Sequence, residues 1–364
     1  MNRTKITHVI SDGNVGGAGI LLASLVDGLK NDFEIEVITP IGAEILHRLP
    51  RDVKRTELPF ARDKSFSMRD VNLFVDYFKK NRCDAVHTHA ALSARVGAKM
   101  AGTRRCISTR HCASPAAKVK KMPPHKRILY EMATDLTVST ADFATENLIA
   151  SGVPKEKIVT IKNGSPDASC CRKSAFSTHD ALGIPRDRKI IGCVARLEGV
   201  KGQDLLLRSA KEVLKFFPET HFVFVGCGSM LDEYQRRAAR LGIDKNVSFT
   251  GYVTAPALYQ KDFYINVNAS RGTETSSLAT SECMSLGVPT VASSFGGNRE
   301  MITHGKNGLI FNTDNTFSLT DAILDILEDE ELHRALSLGA RESYEQSFTT
   351  EKMTQSYKNL YLSL

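Results

Sequence analysis

Glu274-Thr-Ser-Ser-Leu-Ala-Thr-Ser-Glu282, continuing as Cys283-Met-Ser-Leu-Gly-Val-Pro289-Thr-Val-Ala-Ser-Ser294, is the stretch whose reading decides the fold. Its order is loop, helix, glycine stop, proline, buried strand. Ser276 or Ser277 can cap the helix start, and Gly287 followed by Pro289 ends it. Glu274 then falls in the loop before the helix, and Glu282 about two turns along it at 3.6 residues per turn. The first turn offers free backbone N–H groups and the positive end of the dipole, which suits a phosphate. A carboxylate on either side of a phosphate site is placed to hold neutral hydroxyls, such as those of a sugar and a ribose. Spacing alone favours a helix with solvated glutamates, and the surrounding motifs reverse that.

Working outward, the same strand–helix alternation runs through both halves. In the first, Ile6–Ile10 reads as a strand, followed by a glycine-rich loop and a helix over 20–29. Strands at 33–38, 85–89, 106–109, 136–139 and 159–161 follow, with helices over 69–80 and 95–101. The rhythm breaks in the Pro-, Ser- and Cys-containing stretch 166–186, which is expected to link two domains. It restarts with strands at 190–195, 221–225, 247–249, 264–267 and 290–293, a helix over 203–216, and a largely helical end from Leu319. Alternating strands and helices imply doubly wound parallel sheets. At 364 residues two domains are expected: residues 1–165, then the linker, then 187–345, with a terminal helix over 346–364. In such sheets ligands bind at the carboxyl ends of the strands.

Composition sets the class. No apolar run approaches the roughly 20 residues that span a bilayer, and the start lacks the apolar core of a signal peptide, so a cytoplasmic location is expected. The eight cysteines are scattered without a Cys-x-x-Cys pair and read as free thiols. The net charge of +7 is uneven, with 26 Lys+Arg against 17 Asp+Glu in residues 1–165 and 22 against 24 beyond. The densest basic run, Lys118-Val-Lys-Lys-Met-Pro-Pro-His-Lys-Arg127, suits an anionic lipid surface or acceptor as well as plain solvent. The basic excess lacks the interleaved aromatics of a nucleic-acid binder.

Two further loops carry chemistry. Gly13-Asn-Val-Gly16-Gly17-Ala-Gly19 follows the first strand and opens a helix, a context in which glycines let the backbone approach a phosphate or sugar. A dinucleotide at this loop would need an acid ending the second strand, where Thr39-Pro40 stands. Val194-Ala-Arg196-Leu-Glu-Gly-Val-Lys201-Gly202 also joins a strand to a helix. Its guanidinium fork and ammonium suit a diphosphate and would stabilise a departing nucleoside diphosphate. His87 and His89 alternate at a strand end, with no carboxylate or cysteine partner evident for a metal. Asp12 is either a turn cap or an acceptor contact.

Gly16-Gly17, Asn163-Gly164, Arg196…Lys201-Gly202, Val225-Gly-Cys-Gly228 and Glu274-x7-Glu282, in register along nearly the whole chain, resemble family 4 of the retaining glycosyltransferases. The resemblance implies a GT-B fold: two Rossmann-like domains whose parallel sheets face each other across a cleft. It implies a nucleotide-sugar donor, a UDP-sugar in the first instance, as co-substrate, and an acceptor hydroxyl on a sugar, glycolipid or small molecule. It implies retention of configuration, no metal, and a pathway in cell-surface polysaccharide or glycolipid assembly at the inner membrane face. By resemblance Arg196 and Lys201 balance the diphosphate, Glu274 contacts the donor sugar and Glu282 the ribose. Gly228, Tyr252 and Val253 lie beside the nucleobase. His111 sits near the anomeric carbon. Gly16, Gly17, Asn163, Ser276, Ser277 and Leu278 line the donor site, and Asp12, His87 and His89 are acceptor-side candidates. The chain departs from the family at Ala18-Gly19, where Gly-Gly-x-Glu is usual, at Thr275, where Gly is usual, and at Ser276-Ser277-Leu278, where Phe is frequent. A GT-B sugar-nucleotide 2-epimerase and an inactive nucleotide-sugar-binding subunit are the competing readings.

Overall fold

The computed structural model describes residues 3–13, 16–62, 65–115 and 118–363. In chain order its strands are β1 (Lys5–Ile10), β2 (Glu34–Pro40), β3 (Lys54–Leu58), β4 (Ala85–His89), β5 (Arg105–Arg110), β6 (Leu136–Ser139), β7 (Ile158–Thr160), β8 (Ile190–Val194), β9 (His221–Val225), β10 (Val247–Phe249), β11 (Ile265–Asn268), β12 (Thr290–Ser293) and β13 (Gly308–Phe311). The helices are α1 (Gly17–Leu29), α2 (Met68–Lys80), α3 (Leu92–Met100), α4 (Pro124–Ala133), α5 (Asp142–Ala150), α6 (Thr178–Leu182), α7 (Gln203–Phe216), α8 (Leu231–Leu241), α9 (Ala257–Gln260), α10 (Leu278–Ser285), α11 (Asn298–Met301), α12 (Thr316–Glu328), α13 (Glu330–Ser347) and α14 (Thr350–Leu362).

The chain divides into two compact units, Met1–Gly164 with Thr350–Leu364, and Ser165–Thr349. The first holds a seven-stranded sheet, β3-β2-β1-β4-β5-β6-β7, and the second a six-stranded sheet, β10-β9-β8-β11-β12-β13. Every strand pairing in both sheets is parallel. This is the α/β class expected from the alternation. Strands such as His221-Phe-Val-Phe-Val225 and Ala85-Val-His-Thr-His89 are buried at every position, because helices cover both faces of a parallel sheet.

Two strands escape the sequence reading. β3, Lys-Arg-Thr-Glu-Leu, is an edge strand with exposed positions and no apolar run. β13, Gly-Leu-Ile-Phe, is four residues long and follows directly on a turn. Residues 166–186, expected to run between domains, lie within the second unit. Ala168 and Ile184 are buried there with Val223, Val225 and Phe263, and the Arg341 guanidinium grips Asp167 at 2.8 Å. The terminal helix α14 belongs to the first unit. Its Tyr357 and Tyr361 are buried, Lys358 pairs with Asp32 at 2.6 Å, and the helix packs along α1.

Candidate active site

The strand order of the second sheet reverses between β8 and β11, so the loops leaving these two strands flank the switch point at which doubly wound sheets bind ligands. Both loops carry residues singled out by sequence. They are tied together: the Arg271 backbone N–H donates to the Val200 carbonyl at 2.9 Å and its Nε to the Gly199 carbonyl at 2.9 Å. The Arg271 guanidinium then reaches Asp204 at 2.6 Å and Asp314 at 2.9 Å. Gly202 joins the first loop to α7 at φ +71°, and a Cβ there would stand 2.1 Å from the Ala269 carbonyl oxygen. Both the left-handed backbone and the contact demand glycine.

Across this junction Lys201 Nζ meets Glu274 Oε2 at 2.9 Å, and Ser270 Oγ donates to the same oxygen at 2.7 Å. The two side chains retain only 16% and 9% exposure. Neither charge is tolerable there alone: breaking a buried pair by removing one partner costs about 3–5 kcal/mol. Arg196 lies two residues beyond β8 and is exposed. Its carbonyl is held by Gln203 Nε2 at 2.8 Å, and its guanidinium is in no ion pair among the described residues. An exposed cation thus shares its loop with the lysine of a fixed, neutralised pair.

The helix after Glu274 begins at Leu278, capped by Ser277, whose Oγ accepts from the Thr280 N–H at 3.2 Å. Glu282 is therefore the fifth residue of α10, a little over one turn in rather than the expected two, because the loop takes three residues after Glu274. Ser276 is buried, and Leu278 is half-buried at the helix mouth. The Glu282 carboxyl makes no hydrogen bond or ion pair to a described residue, and burial lifts it from 4.5 to about 7. A half-buried acid without a partner among the described residues is open to a hydroxyl-bearing ligand.

Two more loops reach the same edge of the sheet. The Gly226 N–H donates to the Gly251 carbonyl at 3.0 Å, which sets Tyr252 and Val253 beside the loop of Gly228. Gly228 packs on the chain leaving β8, where a Cβ would lie 2.3 Å from the Leu197 carbonyl oxygen. Tyr252 is 58% exposed, leaving a ring face open at the rim, while Val253 packs into the core below.

The first unit places its candidates at the carboxyl ends of β1, β4 and β5. Gly16 is the N-cap of α1 and Gly17 its first residue, with open space where a Cβ on Gly17 would point. Asp12 Oδ2 lies 3.5 Å from the Cβ position of Gly16, while residues 14–15 of this loop lie outside the described residues. Asn163 is buried just before Gly164, where the chain leaves the first unit until α14 rejoins it. His87 is enclosed: Nδ1 meets Tyr361 Oη at 2.5 Å and Nε2 meets Thr109 Oγ1 at 2.7 Å, so it faces the core and has no surface for an acceptor. His89 bonds His111 Nε2 through Nδ1 at 2.7 Å. His8, which the sequence reading passed over, brings Nδ1 within 3.3 Å of His89 Nε2. His8, His87 and His89 bring ligand-type nitrogens within 4.8 Å of one another, but the nitrogens of His87 and His89 are all engaged in hydrogen bonds. Burial lowers His111 to about 4 and His8 to about 3, so both are neutral near pH 7.

Sequence reasoning also missed Ser270 and Arg271. Their role rests on contacts to Glu274, Gly199, Asp204 and Asp314 that exist only once β8 and β11 are neighbours. The one signal available was their position directly after a strand in Asn268-Ala-Ser-Arg271.

Comparison with known proteins agrees with this construction. Residues 175–343 match the family described as Glycosyl transferases group 1, and residues 15–167 match Glycosyltransferase Family 4. The chain is 24% identical to the N-acetyl-alpha-D-glucosaminyl L-malate synthase of Bacillus anthracis, covering 96% of this chain and 94% of that one. It is 27% identical to a GDP-mannose-dependent alpha-(1-6)-phosphatidylinositol monomannoside mannosyltransferase of Mycolicibacterium smegmatis, over 67% of this chain and 66% of that one. Anabaena HepE, solved in complex with UDP, superposes with a TM-score of 0.81 at 19% identity, covering 99% of this chain and 100% of that one. The two sheets and the loops at their carboxyl edges define a glycosyltransferase of GT-B fold. Within that class, the chain belongs to the family 4 type.

The Glu282 carboxyl gives a pH signature. Its native value of about 7 exceeds the ordinary 4.5, so between these values the native state holds a proton that the unfolded chain has released. Stability then falls as pH rises through this window, and above about 7 the cost of the buried charge is fully present. Glu282→Gln is expected to gain on the order of 1–2 kcal/mol over wild type at pH 8, discounted for partial exposure, and nothing at pH 4.5. Urea unfolding at the two pH values checks this; a pH-independent difference contradicts it.

Proposed function

We propose that the second unit binds a nucleoside-diphosphate sugar, with UDP as the nucleotide, and that the enzyme transfers the hexosyl or N-acetylhexosaminyl group to an acceptor hydroxyl with retention and without a metal ion. The observation that carries this reading is the half-buried Glu282 carboxyl, without a partner among the described residues, one turn inside the helix that follows the Lys201–Glu274 pair. A carboxylate accepts from both hydroxyls of a ribose, and the free N–H groups at the mouth of α10 suit the phosphates. The open face of Tyr252 offers a stacking surface to a base.

In this reading Arg196 and Lys201 supply the positive charge that a metal would otherwise bring to the diphosphate. The bond between the anomeric carbon and the phosphate oxygen breaks, and its electron pair stays on the nucleoside diphosphate. The developing charge is met by the two cations. The acceptor oxygen bonds to the anomeric carbon on the face the phosphate leaves, and its proton passes to the departing phosphate oxygen. Glu274, held by Lys201 and Ser270, orients the sugar hydroxyls and forms no bond to carbon. By the family resemblance His111 meets the donor sugar. The names of the relatives span small acceptors and lipid- or polymer-linked ones, and cell-surface polysaccharide or glycolipid assembly fits the latter.

Arg196→Ala tests the charge-balancing role without disturbing a buried pair. The expectation is unchanged stability and a loss of about 10²–10³-fold in kcat, the scale of one lost electrostatic contact to a leaving group. Turnover at the wild-type level, an inverted product anomer, or activity abolished by EDTA and restored by a divalent cation would each overturn the reading.

Contact with an anionic membrane is supported by a feature that the basic run did not reveal in sequence. Ile128 and Met132, one turn apart on α4 directly after Lys118–Arg127, are 59% and 72% exposed. Apolar anchors beside clustered cations suit an anionic bilayer surface. Co-sedimentation with phosphatidylglycerol vesicles is expected to fall at least tenfold in Ile128→Asp/Met132→Asp and to weaken at high salt. Equal sedimentation of variant and wild type would exclude this face as the contact.

A further inference from the structure

Glu274 is held from more sides than its pair with Lys201. β11 and β12 are parallel neighbours whose register sets Asn268 opposite Ala292, so the chains leaving the two strands run side by side. Ser270 lies on one of them and Ser293 ends the other strand. The Ser270 backbone N–H donates to Asn268 Oδ1 at 3.2 Å, and its carbonyl accepts from Ser293 Oγ at 2.5 Å. Asn298 Nδ2 donates to the same Ser293 oxygen at 3.0 Å. With its backbone held on both sides, Ser270 directs Oγ to Glu274 Oε2 at 2.7 Å. The loop that carries Asn298 also grips the chain at Glu274 directly. The Gly297 N–H donates to the Glu274 carbonyl at 3.3 Å, and a Cβ on Gly297 would stand 1.4 Å from the Thr275 carbonyl oxygen. Ser270, Ser293 and Asn298 are all buried.

A hydroxyl has a single proton to donate. Ser293 commits its proton to the Ser270 carbonyl, so toward Asn298 it can only accept, and Asn298 must present Nδ2 rather than Oδ1. Asn298 Oδ1 is then left buried, with no hydrogen bond to a described residue. A half-satisfied amide costs stability that an apolar side chain of the same shape would not. At the other end of the chain of bonds, Glu274 Oε2 receives Lys201 Nζ at 2.9 Å as well as Ser270 Oγ, which fills both of its lone pairs. Oε1 makes no hydrogen bond or ion pair to a described residue, and it is not sealed from solvent.

We infer that Asn298 and Ser293 are positioning residues that act through Ser270 to lock Glu274 with Oε2 fully engaged, so that Oε1 alone is presented to a ligand. A carboxylate oxygen only accepts, so the group it meets is a hydroxyl or an amide N–H of the donor sugar. Lys201 gives one N–H to Oε2 and keeps its others for a phosphate, so sugar and phosphate recognition share one rigid element. That Oε1 meets the donor sugar rests on the proposed function; the locked carboxylate does not.

Asn298→Leu and Ser293→Ala in the full-length protein test this, with UDP, UDP-glucose and UDP-N-acetylglucosamine as probes. Leucine keeps the shape of Asn298 and removes both its donor and its unfilled acceptor. The melting temperature of Asn298→Leu is expected within about 3 °C of wild type. Calorimetric affinity for UDP, which carries no sugar, is expected to stay within about twofold, while kcat with the UDP-sugar that wild type uses falls about tenfold in both variants. Adding Ser270→Ala to either variant is expected to cost less than about twofold more, since all three side chains act on one oxygen. Full turnover in both variants, UDP affinity that falls in step with turnover, or independent losses that multiply would each overturn the positioning role. Crystal structures of wild type and Asn298→Leu read the geometry whatever the substrate. The expected result is Glu274 Oε2 on Lys201 and Ser270 in wild type, and a carboxylate turned or divided between two rotamers in the variant. An unmoved carboxylate in the variant, or wild-type Glu274 bonded through both oxygens, overturns the inference. If Asn298→Leu does not fold, Ser293→Ala carries the same comparison. Wild type with the expected geometry that neither binds UDP nor turns over a nucleotide sugar would instead strike the proposed function, and the two crystal structures would still decide the locked carboxylate.

Discussion

The pair between Lys201 and Glu274 is the constraint on which the rest of the second unit turns. The two residues are 73 positions apart in sequence, and nothing local brings them together. They meet because β8 and β11 are neighbours across the one point where the strand order of the sheet reverses. With both groups nearly dry, removal of either partner would leave the other without its ion pair, a costly loss. Ser270 fixes the carboxylate, Arg271 clamps the loop that carries the ammonium, and Gly202 lets that loop close against Ala269. In the proposed reaction this charge is held in a preorganised, internally neutral form, which avoids reorganisation when a ligand arrives.

Glu282 shows the complementary device. It sits one turn inside a helix whose cap is satisfied by Ser277, in a place that leaves its carboxyl half-buried and without a described partner. In a chain selected for stability alone such a group is a loss. It is understandable if a ligand supplies the missing hydrogen bonds. The two glutamates of the opening motif therefore have opposite environments, one paired and one waiting, set by four residues of helix.

Much of this was legible in the sequence. The buried strands announce themselves as apolar runs, and Glu274 through Ser294 reads correctly as loop, capped helix, stop and strand because caps and breakers act locally. Arg196 and Lys201 could be placed at a strand end for the same reason. What stayed hidden depends on partners distant in sequence. β3 has charges where an apolar run would show it, since an edge strand needs only one covered neighbour. His8 looks like a polar intruder in an apolar strand until β4 lies beside it. His87 reads as a site residue by spacing, yet Tyr361 of the terminal helix and Thr109 take both its nitrogens. Ile128 and Met132 carry meaning only once α4 shows which of its faces is uncovered.

The central claim is that one face of the second unit holds a nucleoside diphosphate through its own cations and carboxylates. Calorimetric titration of the purified protein with UDP, GDP and ADP in the presence of EDTA tests it most directly. The account predicts saturable, one-to-one binding of UDP in preference to GDP and ADP, undiminished by the chelator. A folded protein that binds none of the three, or that binds UDP only when a divalent cation is restored, would contradict it.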